Sequence, residues 1–574
     1  MQFTAIGIIG LLLILPFLGS VHLFDWDEIN FAEAAREMIV RHDYTQITIN
    51  YEPFWEKPPL FIWMQAACMQ LFGINEFAAR LPTVLVSIAT LLLIYHIGTK
   101  HFSGRFGWTW VMMYAGSVLP FFYARTGLID PSFNLFIFYS FYLLVEATHP
   151  EAENKLKFKL GIGIAISLGL AVLTKGPVAV LIFALVYLVL VIRNRSAIFD
   201  IKTIVIACIL HLSVLSLWIL PEILHHGGWF FSTFIKYQVE LLTDNVAGHA
   251  EPFYYHPLVL FFGCIPAVIF SLPLLFRSKS SFSIEENRWI ECHKVLFWVV
   301  LILFSIVKTK IIHYSSLCWL PLSFLGASYW HHQISGQSAE SWVLKVLASI
   351  SYFPMLMSIP LMAWLGSHIQ STDLSKLIHD RFVVQMIGKE NLWTNSVTVI
   401  VLCLFLLFIL LFIGVVFLKI RYLPVLVLCQ CIILISIFPL FIKPIENVLQ
   451  GKLISFYQSL SGQEIYLMPY GFKSYAHLFY NQTQPLKENS ALSKFIHDYL
   501  QDKKIVDLNN QDRVNFNIAK ERFLLMQPLD KDLYIVTKFG SNEEDTLKSL
   551  KIDLFGQYGG YDIFLKKKAS IIFQ

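Results

Sequence analysis

Long apolar stretches separated by short polar segments dominate the chain from its start to about residue 444. A helix needs about 20 mostly apolar residues to cross the hydrocarbon core of a bilayer. Stretches of this kind predict about thirteen membrane-spanning helices, near residues 4–23, 80–98, 107–123, 132–148, 160–174, 176–192, 202–221, 257–276, 294–307, 312–330, 342–365, 396–418 and 423–442. The pattern therefore predicts a mainly α-helical, polytopic membrane protein.

The pattern changes abruptly after these stretches, because residues 445–574 mix polar and apolar positions. Period-two alternation over 533–537 and 561–565 predicts strands, and the spacing over 491–500 predicts an amphipathic helix. A segment of about 130 residues is long enough to form a domain. We therefore expect a transmembrane catalytic domain over residues 1–444 and a small soluble α/β domain over residues 445–574.

The composition supports the membrane assignment and excludes other classes of protein. Hydrophobic residues make up 56% of the chain and charged residues only 15%, whereas soluble proteins average about 25% charged residues. The 49 Phe, 24 Tyr and 14 Trp exclude a disordered chain. The net charge of +4 is small and its basic residues are scattered, so we expect no nucleic-acid partner.

Basic residues are concentrated in alternate loops, which predicts the orientation of the helices. The basic loops carry Lys100 and Arg105; Lys155, Lys157 and Lys159; Arg193 and Arg195; Arg277, Lys279 and Arg288; and Lys419 and Arg421. The positive-inside rule places these loops and the N-terminus in the cytoplasm. The longer, more acidic loops at about 24–79, 124–131, 222–256 and 366–395, with everything after 443, then face outward.

The first outward loop presents two acidic clusters, Asp27-Glu28 and Glu56-Lys57. Asp25 or Asp27 can cap a helix from about residue 28 to 41, and the apolar face of that helix predicts that it lies along the membrane interface. A second apolar helix follows to about residue 72. Helix capping, dipole complementation and an exposed ion pair are the structural alternatives to a catalytic role for these groups.

Three other positions at the outer surface carry candidate chemistry. Asp130 lies where a span re-enters the membrane, and it can either cap that helix, with Pro131 in its first turn, or face a cavity. His249 lies in a long loop and can be a metal ligand or a base. Lys308 and Lys310 lie at the outer end of a span, where cations favour an anionic partner such as a lipid phosphate, unless they only snorkel to headgroups.

These groups together indicate chemistry on a lipid-linked substrate. The outward loops contain no nucleotide-binding motif such as GxGxxG or Walker A. Because no nucleotide pool exists outside the inner membrane, any donor used there must be carried by the membrane. Lysines offset the charge of a lipid phosphate, and a divalent metal ion held by carboxylate and imidazole groups can do so further.

At these residues the chain resembles the GT-C superfamily of polyprenyl-phosphate-sugar glycosyltransferases, especially bacterial aminoarabinose (lipid A) transferases and the related protein O-mannosyltransferases. The similarity covers about residues 1–440. It rests on residues 27–38, Glu56-Lys57-Pro58-Pro59-Leu60, Arg80-Leu81-Pro82, Ala124-Arg125 before Asp130, Thr174-Lys175-Gly176-Pro177, residues 244–255, and Lys308-Thr309-Lys310 with Tyr314. Asn30 and Phe31 depart from the usual Asp-Glu-x-Arg-Tyr pattern, as does Lys310-Ile311-Ile312-His313-Tyr314 from the usual Lys-Leu-Pro-x-Tyr.

The resemblance implies thirteen spans, an outward C-terminal domain and a cavity above the membrane. It implies that Asp27, beside Glu28, is the base or acceptor-orienting carboxylate, and that Asp130 is a further cavity carboxylate. Lys57, Lys308 or Lys310, and Tyr314 would contact the donor phosphate. Glu56 and His249 would hold a divalent ion, whether zinc, magnesium or manganese.

The sequence therefore predicts an inverting glycosyltransferase in the bacterial inner membrane. It would move a sugar from a polyprenyl phosphate, such as undecaprenyl phosphate, to lipid A or another envelope acceptor on the periplasmic face. A protein acceptor, as in the O-mannosyltransferases, is the alternative. A transporter or flippase is less favoured, because it requires ionisable residues at mid-bilayer and inverted repeats.

Overall fold

The computed structural model describes residues 2–194, 198–243, 251–276, 282–334, 342–368, 379–387, 392–413, 423–503 and 510–569. The chain is mainly helical and forms two compact units. The first unit comprises residues 1–20, 55–363 and 396–438, and the second comprises residues 21–54, 364–395 and 439–574. The first outward loop is thus divided, because its initial part belongs to the same unit as the C-terminal segment.

The first unit is built from apolar helices. Its helices are Gln2–Ile14, Leu60–Phe72, Glu76–His101, Gly104–Ala115, Val118–Tyr123, Asp130–Ala147, Asn154–Lys175, Val178–Asn194, Ile201–His226, Trp229–Thr243, Tyr255–Gly263, Ala267–Phe276, Ile284–Ile306, the 3₁₀ helix Ile312–Cys318, Trp319–Ile334, Trp342–Ser367, Asn395–Ile413 and Leu423–Ile437. In the part of the chain that the structure describes, six helices are long and apolar enough to cross a membrane.

Several predicted spans are interrupted where the sequence disfavours a continuous helix. The first helix ends at Ile14, two residues before Pro16. The predicted span 107–123 is divided at Gly116 and Ser117, and Pro120 lies in the first turn of the following helix, where proline is tolerated. The predicted span 257–276 is divided in the same way, directly before the helix Ala267–Phe276.

Two adjacent helices of this unit bring distant polar residues together. The helices Asp130–Ala147 and Asn154–Lys175 pack against each other and are joined by a short turn. Neighbouring helices joined in this way run antiparallel. The first residue of one helix, Asp130, therefore lies beside the last residue of the other, Lys175.

The second unit contains a mixed sheet and several helices. The helices are Asp27–Arg41, Arg381–Ile387, Lys443–Glu446, Lys452–Ser459, Ala476–Asn481, Ala491–Asp502, Asn510–Met526 and Asn542–Ser549, with π-helical turns at Phe438–Ile442 and Asn447–Gly451. The strands are β1 (Thr48–Ile49), β2 (Glu52–Pro53), β3 (Ile465–Pro469), β4 (Asp532–Lys538), β5 (Asp553–Tyr558) and β6 (Tyr561–Lys566).

The sheet confirms the predicted mixture of strands and helices at the C-terminus. Its order is β3-β4-β6-β5, with β3 parallel to β4 and the other pairs antiparallel. The predicted strands are present as β4 and β6, and Ile535 is paired with Phe564. The predicted amphipathic helix extends over Ala491–Asp502. These elements share a core that includes Leu492, Leu533 and Leu547.

The helix Asp27–Arg41 differs from its predicted form. The sequence indicates an amphipathic helix lying along the interface, but every residue from Glu28 to Met38 is buried. The buried set includes four ionisable side chains, Glu28, Glu33, Arg36 and Glu37. The polar side of this helix therefore faces protein, and its charged groups have protein partners.

Candidate functional site

Asp27 is the first residue of its helix and has a partly exposed carboxylate. Neither Asp25 nor Asp27 caps the helix, which corrects the capping alternative, because Trp26 holds the cap position and no described side chain bonds there as a cap. Glu28 Oε2 instead accepts a hydrogen bond from the Phe24 N–H at 2.8 Å. Among the described residues, Asp27 has no recorded hydrogen bond or ion pair. The Asp27 carboxylate is therefore available to a ligand, whereas the Glu28 carboxylate holds the backbone of Phe24.

The same unit contains a buried charged group that the sequence did not single out. Arg36 makes two hydrogen bonds to Glu33, at 2.7 Å from Nε and 2.6 Å from Nη2. Glu37 accepts hydrogen bonds from Thr48 Oγ1 at 2.7 Å and from the Tyr51 N–H at 3.0 Å. We call Glu33, Arg36, Glu37 and Thr48 the Glu37 cluster.

Burial controls the protonation of this cluster. It raises the pKa of Glu33, and Arg36 opposes that rise. Burial and the adjacent Glu33 carboxylate raise the pKa of Glu37 to about 8, although its bonds to Thr48 and Tyr51 act in the opposite direction. Near neutral pH the Glu37 carboxyl is therefore largely protonated and can share its proton with Glu33.

In the first unit, the Glu56-Lys57 pair is held in place by its neighbours. Trp55 is buried in a cluster with Leu173, Trp218 and Phe230. The two prolines that follow Lys57 restrict the backbone and directly precede the helix Leu60–Phe72. Both Glu56 and Lys57 remain partly exposed, and the Tyr237 hydroxyl lies 3.5 Å from Glu56 Oε2.

Asp130 is buried, with 2% of its surface exposed, and it is paired with Lys175. The helix that starts at Asp130 has Ile129 at its cap position, and no described side chain caps it. The capping alternative for Asp130 is therefore wrong. Lys175 Nζ donates to Asp130 Oδ1 and lies 5.1 Å from the centroid of the Tyr314 ring. A positive φ of 105° at Gly176 ends the helix at Lys175.

Other cations complete the surroundings of Asp130. His313 Nε2 lies 3.9 Å from Asp130 Oδ2, and Lys57 is close enough to act on the carboxylate electrostatically. Burial would raise the pKa of Asp130, but His313, Lys175 and Lys57 together hold that pKa below its ordinary value. We call Lys57, Asp130, Lys175 and His313 the Asp130 cluster.

The two candidate lysines after the helix Ile284–Ile306 have different environments. Lys308 is exposed, whereas Lys310 is only 6% exposed and donates from Nζ to the Val307 carbonyl oxygen at 2.8 Å. Lys310 and His313 both act electrostatically on the buried His256, whose Nδ1 lies 3.1 Å from Ser315 Oγ. Lys310 therefore adds a further cation near His313, and Lys308 points to the surface.

The arrangement in the first unit is suited to an anionic ligand. Lys57, Lys175, Lys310 and His313 are buried or half-buried, and low solvent exposure strengthens their effect on a bound phosphate. The predicted metal ligand His249 lies outside the described residues. Within the described ranges, no group of three or more His, Cys, Asp or Glu residues is placed to hold a metal ion.

Sequence reasoning identified Lys57, Asp130 and Tyr314 but gave no role to Lys175, His313 or His256. Lys175 directly precedes Gly176 and Pro177 at the end of an apolar helix. A lysine at such a position was the signal in the sequence that could have indicated a functional role. The partnership of Lys175 with Asp130 joins residues 45 positions apart. Only the packing of the two helices shows that partnership.

A family match covers part of the first unit. Residues 56–220 match the family described as dolichyl-phosphate-mannose-protein mannosyltransferase. The matched segment contains Lys57, Asp130 and Lys175. The resemblance to the polyprenyl-phosphate-sugar glycosyltransferases predicted from the sequence is confirmed.

Particular relatives are transferases of aminoarabinose. The chain is 26% identical over 347 residues to undecaprenyl phosphate-alpha-4-amino-4-deoxy-L-arabinose arabinosyl transferase 1 of Proteus mirabilis, covering 59% of this chain and 60% of the relative. It is 28% identical over 368 residues to the corresponding transferase of Serratia proteamaculans, covering 62% of this chain and 64% of the relative. The chain thus matches less than two thirds of the length of either relative.

The fold is similar to that of a solved transferase. The crystal structure of ArnT from Cupriavidus metallidurans bound to undecaprenyl phosphate aligns with a TM-score of 0.70, at 16% identity. The alignment covers 98% of this chain and 97% of that one. The chain therefore has the ArnT-like fold, with its apolar helices and a small C-terminal sheet domain.

Proposed function

We propose that this protein is an inverting glycosyltransferase that moves a sugar from a polyprenyl phosphate to a lipid A-like acceptor. The observation that carries this proposal is the gathering of Lys57, Lys175 and His313 around the buried Asp130, on a fold shared with ArnT. The related sequences support the same class, since their names specify an undecaprenyl-phosphate-linked aminoarabinose donor. Because the matches cover only part of each relative, the donor and acceptor are part of the proposal.

The donor phosphate is the proposed ligand of the cations in the first unit. Lys57, Lys310 and the Tyr314 hydroxyl contact it, with Lys308 at the surface. Lys175 is already paired with Asp130, so Asp130 orients that lysine and prevents its cation from leaving the cluster. As the bond from the anomeric carbon to the phosphate oxygen breaks, negative charge grows on the phosphate. The lysines stabilise that charge, so a separate acid is unnecessary.

Asp27 acts on the acceptor in this proposal. The acceptor oxygen attacks the anomeric carbon on the face opposite the departing phosphate, which inverts the centre. If the acceptor is a hydroxyl group, Asp27 removes its proton as a general base, which contributes about 10²–10⁴-fold. If the acceptor is a phosphate, no proton has to be removed, and Asp27 orients the acceptor.

A divalent ion, whether zinc, magnesium or manganese, remains a proposal as well. Glu56 is half-buried and accessible, so it fits a ligand role, and His249 would be the second ligand. A bound ion would offset the charge of the donor phosphate. The described residues supply no complete ligand set, and the steps above do not depend on the ion.

We also propose the predicted topology: thirteen spans in the inner membrane, a cytoplasmic N-terminus and a periplasmic C-terminal segment, with the domain boundary at residues 444 and 445. The alternation of basic and acidic loops supports this orientation. Labelling of single cysteines introduced at residues 42–44 and 155–159, which include exposed positions, with a membrane-impermeant reagent tests it. Labelling of the second site rather than the first would reverse the topology.

Mass spectrometry of envelope glycolipids and glycoproteins, with and without the gene, tests the function. We expect a sugar on lipid A that is lost in the deletion strain and restored by the wild-type gene but not by Asp27→Ala. A sugar lost instead from secreted proteins would favour a protein O-glycosyltransferase. An unchanged envelope in the deletion strain would refute the proposal.

A further inference from the structure

The structure assigns a positioning role to four residues of the C-terminal segment, Glu446, Gln450, Ser474 and Tyr480, which we call the anchoring residues. They fix the backbone of residues 22–25, directly before Asp27, and thereby set the direction of the Asp27 carboxylate. This inference rests on the proposed function for the effect on catalysis. All the contacts lie within the second compact unit.

Leu23 is held by side chains on both of its backbone polar groups. The Leu23 N–H donates to the Tyr480 hydroxyl oxygen at 2.7 Å, and Gln450 Nε2 donates to the Leu23 carbonyl oxygen at 3.0 Å. His22 Nδ1 lies 2.9 Å from Glu446 Oε1. Tyr480 and Glu446 are both buried. A backbone fixed at both of its polar groups, here by the buried Tyr480 and the partly buried Gln450, has little freedom to rotate.

The two residues between Leu23 and Trp26 are held as well. The Phe24 N–H donates to Glu28 Oε2. The Asp25 carboxylate accepts hydrogen bonds from the Ser474 hydroxyl and from the backbone N–H groups of Trp26 and Tyr475. Of the three acids at the start of this helix, Asp25 and Glu28 are thus engaged, and Asp27 is left available to a ligand.

The residue before Asp27 has a conformation that L-amino acids rarely adopt. Trp26 has φ 77° and ψ −127°, yet its carbonyl oxygen accepts the helical bond from the Asn30 N–H at 2.9 Å. Such strain persists only where the surrounding structure enforces it, and it is concentrated at functional sites. The anchoring residues provide this enforcement, and the strained turn directs Asp27 away from the capping geometry that an aspartate would otherwise adopt.

Two of the anchoring residues lie in or directly beside an irregular helical turn. Gln450 lies within the π-helical turn Asn447–Gly451, and Glu446 directly precedes it. A π-helical turn rotates the side chains that follow it and often occurs at functional sites. Residues four positions apart lie on one face of a helix, so Glu446 and Gln450 can reach His22 and Leu23, which are adjacent in the chain.

Hydrogen–deuterium exchange of the full-length protein in detergent tests the contact. Tyr480→Phe removes the acceptor of the Leu23 N–H while keeping the ring, so we expect exchange in a peptide covering residues 22–28 to become roughly tenfold faster. Tyr499→Phe makes the same chemical change elsewhere in the C-terminal segment and serves as the matched control. Unchanged exchange in Tyr480→Phe would overturn the inference.

Kinetics test whether the contact positions Asp27. For Tyr480→Phe we expect kcat to fall roughly tenfold with the KM for donor and acceptor unchanged, because the variant misplaces a reacting group without removing a binding contact. Gln450→Met, which removes the donor to the Leu23 carbonyl, should give the same division between kcat and KM. Tyr499→Phe should match wild type. Normal kcat in both anchoring variants, or a change confined to KM, would overturn the inference.

The two arms distinguish this inference from the proposed function. A wild-type protein that transfers no sugar from a polyprenyl phosphate would refute the proposed function, whatever the exchange data show. Transfer by wild type that is lost in Asp27→Asn but intact in both anchoring variants would leave the proposed function standing and refute only the positioning role.

Discussion

Two groups of charged residues, the Glu37 cluster and the Asp130 cluster, differ in the protonation of their buried carboxyl groups. In the Glu37 cluster two carboxylates face one arginine, and the surplus negative charge is removed by holding Glu37 protonated, with its pKa raised to about 8. In the Asp130 cluster the carboxylate stays ionised, because cations lower its pKa. The first cluster is internally neutral, whereas in the second several cations surround one ionised carboxylate.

The difference indicates which cluster is completed by a ligand. The Glu37 cluster satisfies its charges with protein groups at 2.6–2.7 Å, so it stabilises the helix that carries Asp27. In the Asp130 cluster Lys57, Lys175 and His313 lie around one carboxylate, and low solvent exposure strengthens the attraction of such cations for an anion. An anion such as a lipid phosphate would complete it.

The largest expected effect is the loss of stability on breaking the Glu37 cluster. Arg36→Leu leaves Glu33 buried without its partner, and we expect the free energy of unfolding to fall by about 3–5 kcal/mol. Arg193→Leu is the control, because the Arg193–Glu291 pair is exposed and its loss should cost under about 1 kcal/mol. Thermal unfolding in detergent measures both. Equal effects would mean that Glu33 does not depend on Arg36.

Removing a cation from the Asp130 cluster should instead abolish activity without unfolding the protein. For Lys57→Ala we expect a loss of about 10²–10³-fold in transfer, the range found when one group that stabilises developing negative charge is removed. Unfolding should be nearly unchanged, since Lys57 is partly exposed. Lys494→Ala, at an exposed position of the C-terminal segment, is the control. Full activity in Lys57→Ala would remove this cluster from the catalytic site.

The pH dependence of stability should have opposite signs in the two clusters. Because the pKa of Glu37 rises from 4.5 to about 8 on folding, the native state binds more protons between these values, and stability falls as pH rises through this window. The slope is at most about 1.4 kcal/mol per pH unit for one group. Glu37→Gln should remove this slope, as measured by unfolding at pH 5–9. The Asp130 contribution is instead present above its unfolded pKa and is lost only in strong acid.

The smallest expected effect concerns a single hydrogen bond. Thr48→Val keeps the shape of the side chain but removes the 2.7 Å bond to Glu37, which should cost about 1–3 kcal/mol of the free energy of unfolding, because the buried acceptor loses a partner. Since that bond favours ionised Glu37, the variant should also move the slope described above to higher pH. A pH dependence identical to wild type would show that Thr48 does not influence the protonation of Glu37.

Elements predicted from a local sequence pattern agree with the structure, whereas contacts between distant residues could not be predicted. The spans and the C-terminal strands depend on local periodicity, so the helix Asn154–Lys175 and strands β4 and β6 lie close to their predicted positions. Partners such as Lys175 for Asp130, or Tyr480 for Leu23, are far apart in the chain. No periodic pattern encodes such pairs. The helix Asp27–Arg41 shows the limit of prediction from periodicity. Its amphipathic spacing predicted a position at the membrane interface, but the helix is buried.

By itself the sequence determined the membrane class, the approximate helices, the resemblance to polyprenyl-phosphate-sugar glycosyltransferases, and the importance of Asp27, Lys57 and Asp130. These properties depend on composition, on periods of two and 3.6 residues, and on short motifs, all of which are local. Only the tertiary structure decided which charges are neutralised and which remain. That outcome depends on burial and on contacts between distant segments, because the energy of a charge is set by everything that surrounds it in space.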